Sequence, residues 1–319
     1  MDRLLVLAIP FFGPIVIGYV AGRVLKKPAG ALDWLNFFVV YVALPPVFYQ
    51  LISKTPFDQL SNLPFVFGTA FSSYAAFALA FGAAFLMNGR RVREAVIAGG
   101  IGGYGNVGYM GPGLALAVLG PQVAAPMALV FAFDCILFFT LIPLLFAVNE
   151  EQSHLLETFK VIARRVLLNP FIIATLIGVA AAYFRVQLPD GVDRGLTFLM
   201  NAAAPSALFA LGVTVSMRPF GALPRPIMAA LAIKLLVHPL IVLTMLSILG
   251  AFDPNWVYCA VLMASLPPAL TVFVMAGQYE TYVEHASTAV LIGTALSLAT
   301  LLVWLYLIDH RLLPTDLFP

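Results

Sequence analysis

Apolar runs of about twenty residues dominate the chain, cut by short stretches of charge, proline and glycine. A membrane-crossing helix needs about 20 mostly apolar residues, whereas a membrane-barrel strand alternates over about 10. The runs here are continuous, so the pattern predicts helices. Ten are expected, at residues 4–22, 34–53, 63–87, 95–119, 122–147, 167–184, 195–217, 226–249, 256–278 and 286–308. Gly120-Pro121 makes the turn between the fourth and fifth. The longest polar stretch, NEEQSHLLETFKVIARR at 149–165, separates five spans from five. With an odd number in each half, related halves must enter the membrane in opposite senses.

A faint repeat supports that arrangement. LDWLNFFVVYVALPPVFYQL (32–51) aligns with VDRGLTFLMNAAAPSALFAL (192–211), matching Asp33 with Asp193, Pro45 with Pro205 and Leu51 with Leu211. A slightly larger shift sets Pro56-Phe57 against Pro219-Phe220 and Gly105-Asn106 against Pro267-Pro268. The expected organisation is a first five-helix repeat at 1–148, a cytoplasmic linker at 149–166 and a second repeat at 167–319.

Composition agrees with membrane insertion. The chain is 62% apolar and only 10% charged, with a mean hydropathy of +0.99. A soluble domain is about half apolar and roughly a quarter charged. The run at 4–22 is followed by Arg23, Lys26 and Lys27, so it reads as a first span and not a removed leader. Arg3, Lys54, Arg185, Arg194 and Arg311 fall on one side of the membrane and eleven Lys or Arg on the other. The positive-inside rule then puts both termini outside the cytoplasm. A net charge of +2 without a basic tail argues against a nucleic-acid partner. Cys135 and Cys259 lie in apolar runs and read as packing residues. No GxxxxGK[ST] or HExxH occurs, so nothing suggests an ATP-driven pump or zinc enzyme, and no cofactor or metal is called for.

Two spans carry their own interruptions. Span four contains GGYGNVGYMGPG and span nine contains MASLPPALTVF. Glycine weakens a helix interior, and proline removes a backbone donor and restricts its predecessor. Interrupted helices in matching positions of two halves point to a transport site, where half-helix N-termini and unpaired backbone groups face a solute. The competing reading of the glycines is close helix packing. Asn106 favours a break, because a buried amide needs partners. The prolines of spans two and seven read as hinges.

Two ionisable residues sit mid-span, Asp134 and Lys234, with His238 one turn beyond the lysine. Charges at such depth usually face a pathway. Lys234 either attracts an anion or snorkels to the surface. Asp134 either carries a coupling proton or pairs with Lys234 structurally. His238 either shares that proton or satisfies a carbonyl.

The segments GNVGYMGPGLA after REAVIAGG, NPFIIATLIG, APSALFALG, KLLVHPLIV and LPPALTVFVMAGQY together resemble the auxin efflux carrier family, which includes plant PIN carriers and bacterial malonate permeases. The resemblance runs over essentially the whole chain. It implies an all-α membrane protein of ten helices in two inverted five-helix repeats, related to bile-acid and sodium–proton antiporter folds. Spans one, two, six and seven would form a scaffold. Spans three to five and eight to ten would form a moving domain, with spans four and nine crossing as broken helices. By position, Asn106, Pro267 and Pro268 inherit the substrate-binding role. Gly105 stands where such carriers carry a proline. The expected function is secondary transport of a small organic anion, malonate or a similar dicarboxylate, coupled to H+ or Na+. Efflux of an aromatic monocarboxylate is the alternative, and a membrane sensor a more remote one. A homodimer stays open, and the lipid bilayer is the surrounding partner.

Overall fold

The computed structural model describes residues 2–26, 28–148, 160, 163, 164, 167–217 and 223–318. Most of the expected linker at 149–166 lies outside them. Among the described residues the chain is helical throughout, with no strand and one isolated backbone bridge. The order is α1 (Asp2–Leu25), α2 (Asp33–Phe37), a π-helical turn (Phe38–Ala43), α3 (Leu44–Ser53), α4 (Phe57–Leu60), α5 (Leu63–Met87), α6 (Val92–Gly103), α7 (Gly111–Leu119) and α8 (Ala124–Val148). After the linker follow α9 (Pro170–Tyr183), α10 (Asp190–Ser216), α11 (Arg225–Ala232), a second π-helical turn (Ile233–Val237), α12 (His238–Leu249), α13 (Pro254–Ala264), α14 (Leu270–Gln278) and α15 (Val283–Asp309).

Six stretches are long and apolar enough to cross a membrane: Gly30–Ser53, Phe57–Met87, Pro121–Val148, Asp190–Ser216, Arg225–Leu249 and Val283–Asp309. They coincide with predicted spans two, three, five, seven, eight and ten. Spans one and six contain the shorter apolar helices Phe12–Leu25 and Pro170–Tyr183. Spans four and nine are each divided into two short helices, α6 with α7 and α13 with α14. Large apolar side chains lie open on the outer faces, Trp34 at 81% and Phe198 at 79%. Such faces suit lipid, and the protein is a multi-pass membrane protein.

Proline shapes two of the long spans without severing them. Within an α-helix its ring strikes the carbonyl four residues back and its nitrogen donates nothing. Both π-helical turns sit just before prolines, Pro45-Pro46 and Pro239. Leu44 N–H bonds to the Val39 carbonyl and His238 N–H to that of Ile233, five residues back in each case. The wider turn makes room for the ring. The carbonyl left without a partner by Pro239, that of Leu235, accepts a bond from the Trp304 indole at 3.5 Å. Pro205, expected to act as a hinge, lies within the continuous α10.

Packing follows two groupings. The helix α1 lies along α10, and α3 lies against α9 and α10. The α1–α10 contact is backbone on backbone: Gly18 abuts the Phe209 carbonyl and Gly212 that of Ile15. Small residues permit this approach in membranes. Separately, α5 packs on α6, α8, α11 and α12, and α14 on α15.

Candidate transport site

Span four breaks after four glycines. Gly99 and Gly103 pack on Phe77, Gly102 on Ala80, and Gly100 on Ile142. These glycines remain helical and serve close packing, as the competing sequence reading held. The break begins at Tyr104, which is extended at φ −107°, ψ 115°, and helix resumes at Gly111 with Pro112 in its first turn. Proline suits that position because the donor it lacks has no intrahelical partner.

Span nine breaks at its two prolines. Pro267 and Pro268 cannot donate, and Ala269 is extended at φ −71°, ψ 145°. The two breaks meet. Gly105 and Pro268 form the isolated antiparallel bridge. Asn106 N–H donates to the Pro267 carbonyl at 2.8 Å, and Ala269 N–H to the Tyr104 carbonyl at 3.2 Å. The Pro268 ring rests against Gly293 of α15. Each interrupted chain thus supplies partners the other lost, as irregular backbone at membrane depth requires.

The two new helix N-termini differ. At α7 Pro112 has no N–H and Gly113 N–H finds no acceptor among the described residues, so only the first donor is taken, by Asn106. Its backbone carbonyl accepts from Met110 and Gly111 at 3.1 and 3.3 Å, and its Oδ1 accepts from Tyr109 N–H at 3.3 Å. Neither N-terminus has a side-chain cap. Among the described residues nothing accepts from the backbone N–H groups of Leu270 or Thr271. The Asn106 side chain is 1% exposed, and its Nδ2 group donates to no described residue. Leu270, Phe273 and Val274 line one wall of a cleft of about 310 Å³ whose other walls are Leu32, Asn36, Thr214 and Met217. A larger cavity, about 940 Å³, lies away from the breaks, between the segment after α3 and the segment after α9, with Tyr49, Lys54, Arg185 and Asp193 among its walls.

Behind the breaks runs a buried polar chain. Lys234 is fully buried, so it does not snorkel. Its Nζ donates to the Ala264 carbonyl at 2.9 Å and lies 2.9 Å from His238 Nδ1. It also contacts Gly105, where a Cβ would lie 2.9 Å from Nζ. His238 Nε2 is 3.3 Å from Ser73 Oγ, and Ser73 donates to Asp134 Oδ1 at 2.8 Å. Asp134 and Lys234 therefore connect through two intermediaries and form no direct ion pair. Asp134, Ser73, Lys234 and His238 are all under 5% exposed. The Tyr104 hydroxyl pairs with Cys135 at 3.3 Å and its ring stacks on Phe138, so Cys135 does more than fill space.

All seven residues singled out from the sequence, Gly105, Asn106, Asp134, Lys234, His238, Pro267 and Pro268, fall in one contiguous cluster. Ser73 escaped the sequence reading, although a Ser72-Ser73 pair inside an apolar span was its signal. So did Arg93, which ties the membrane-surface end of α6 to the end of α14. It donates to the Tyr279 carbonyl at 3.0 Å and to Thr281, and it lies over the Phe146 ring, itself stacked on Tyr279.

Residues 5–305 match a family model described as "Membrane transport protein". A "Putative malonate transporter" of Rhizobium meliloti (strain 1021) is 44% identical over 315 residues, 98% of each chain. "Auxin efflux carrier component 8" of Arabidopsis thaliana is 30% identical over 157 residues, 46% of this chain and 41% of that one. "Auxin efflux carrier component 3a" of Oryza sativa subsp. japonica is 26% identical over 151 residues, 46% of this chain and 24% of its own. The plant matches span less than half of either partner, while the bacterial match and the family model span nearly all of this chain. The broken, mutually bridged helices thus sit in a chain that belongs to the auxin efflux carrier family of membrane transport proteins.

Proposed function

We propose that the protein is a secondary transporter of small organic anions, malonate or a similar dicarboxylate, working by elevator-type alternating access in the inner membrane. The observation that carries this reading is the bridge between the two breaks, with free donors beside it. The N–H groups of Leu270 and Thr271 and the Asn106 amide offer hydrogen bonds to carboxylate oxygens, and the α14 N-terminus adds partial positive charge. Lys234 supplies positive potential from behind, since its own bonds go to Ala264 and His238. Asp134 and His238 serve the coupling ion, a proton in this reading. The full-length similarity to a protein named as a malonate transporter supports the substrate class.

The packing groups support a division into a scaffold (spans one, two, six and seven) and a moving domain (spans three to five and eight to ten). Ten spans in two inverted repeats, with both termini outside the cytoplasm, complete the reading. Its test is uptake of labelled malonate into proteoliposomes. Wild-type protein should transport, and Asn106→Ala combined with Pro268→Ala should not. Normal transport by the double variant removes the site assignment.

The half-length matches to proteins named auxin efflux carriers favour a second reading, transport of an aromatic monocarboxylate. Competition between malonate and an indole acid for binding separates the two: only the true substrate class displaces the other.

A further inference from the structure

The hydrogen bonds behind the breaks have a direction. A serine hydroxyl has one proton to give. When Asp134 is a carboxylate it can only accept, so Ser73 donates to it and must accept from His238 Nε2–H. Nδ1 is then bare and accepts from the Lys234 ammonium. Every bond points from lysine to aspartate. The opposite arrangement is equally complete: a protonated Asp134 donates to Ser73, Ser73 to Nε2, and Nδ1–H to a neutral lysine amine. A charged end forbids the opposite direction: an ammonium would face Nδ1–H donor to donor, and a carboxylate would face a Ser73 oxygen whose proton points at Nε2, acceptor to acceptor. A doubly protonated imidazole would aim Nδ1–H at the ammonium.

We propose that this chain is an internal proton relay that switches Lys234 between ammonium and amine. Three protons move together, each across one bond: Nζ to Nδ1, Nε2 to Oγ, and Oγ to Oδ1. Ammonium plus carboxylate become amine plus carboxylic acid, the imidazole changes tautomer and stays neutral, and no other reactant takes part. Without a solute, the neutral pattern avoids burying two ions. An anion between the breaks lies close to Lys234, which touches Gly105 and holds the Ala264 carbonyl, and draws the proton back to the lysine. Ser73 and His238 are positioning residues for this transfer. The neighbouring titratable pair, Tyr104 and Cys135, bond to each other and stand outside the chain. The role of the anion rests on the transport reading above, whereas the two-pattern chain does not.

The test is nitrogen NMR of histidine-labelled protein in bilayers, with His238 assigned by its loss in His238→Gln, joined to infrared detection of the Asp134 acid band, assigned by Asp134→Asn. Empty wild type should carry the proton on Nδ1 and show the band. Saturating malonate should move the proton to Nε2 and remove the band. Lys234→Arg, which cannot release its proton, should give the Nε2 form without ligand. Ser73→Ala should abolish the response of the band to malonate and lower turnover about tenfold with KM within about twofold. A doubly protonated ring, or one tautomer shared by empty wild type and Lys234→Arg, overturns the relay. A relay that answers Lys234→Arg but not malonate leaves the relay standing and removes malonate as substrate.

Discussion

The first break and the second meet at one bridge, yet they are built by opposite means. The first is made of glycine and ties back its own turn: the Asn106 oxygens accept from Tyr109, Met110 and Gly111, the last being the first donor of α7. The second is made of proline and leaves the first donors of α14 unused. Its C-terminal side differs too, because the Ala264 carbonyl at the end of α13 is held by Lys234 Nζ. The first interruption ties back the first donor of its new helix, and the second leaves the first two donors of its new helix open. The two N-termini are therefore not equivalent, and on the proposed reading a solute meets α14 first.

Four substitutions sharpen that contrast. Lys234→Met should act most strongly. It leaves the Ala264 carbonyl and His238 without their partner at a fully buried position, which costs about 2–4 kcal/mol, read as a lowered midpoint of thermal unfolding in detergent. Leu270→Pro should come next and touch ligand binding only. The position is the first of α14, its N–H has no partner, and Ala269 already has the extended backbone that precedes proline. Malonate affinity should fall about tenfold by the loss of one charge-assisted bond, with the unfolding midpoint unchanged by comparison. Equal loss of stability and affinity would show that this N–H supports the fold.

Gly105→Ala should be milder. The new methyl would lie 2.9 Å from Nζ and 3.2 Å from Cε of Lys234, so the lysine must shift, at about 1 kcal/mol. Transport should drop with it, because the same shift disturbs the Ala264 bond. Gly113→Ala in α7 should do least. The helix position favours alanine intrinsically, and a fall in malonate affinity comparable to that of Leu270→Pro would place the solute at the wrong N-terminus.

Much of this was legible in the sequence because membrane helices announce themselves by unbroken apolarity, and because Gly, Pro and Asn at depth are costly enough to need a reason. The glycine run was ambiguous for a physical cause. Gly99 to Gly103 and Gly105 to Gly111 look alike in sequence, yet the first group packs helix on helix and the second lies in the break and at the restart of helix. Only the neighbours Phe77 and Ala80, far along the chain, decide between those roles. The link from Asp134 to Lys234 was hidden likewise. Two opposite charges in apolar spans suggest a direct pair, and only the fold interposes Ser73 and His238. The π-helical turns left a trace in Pro45 and Pro239, but a proline alone does not distinguish a kink from a widened turn.

Arg93 fastens α6 to the far end of α14, while the Gly105–Pro268 bridge fastens the same two segments at their middles. Two strips of backbone riveted at two separate points cannot pivot about either one. On the elevator reading proposed above, the displacement that passes a solute carries α6 and α14 as a single girder past their surroundings. A chemical cross-link between residues 93 and 279 would therefore leave transport running, whereas one joining this girder to α3 or α10 would stop it.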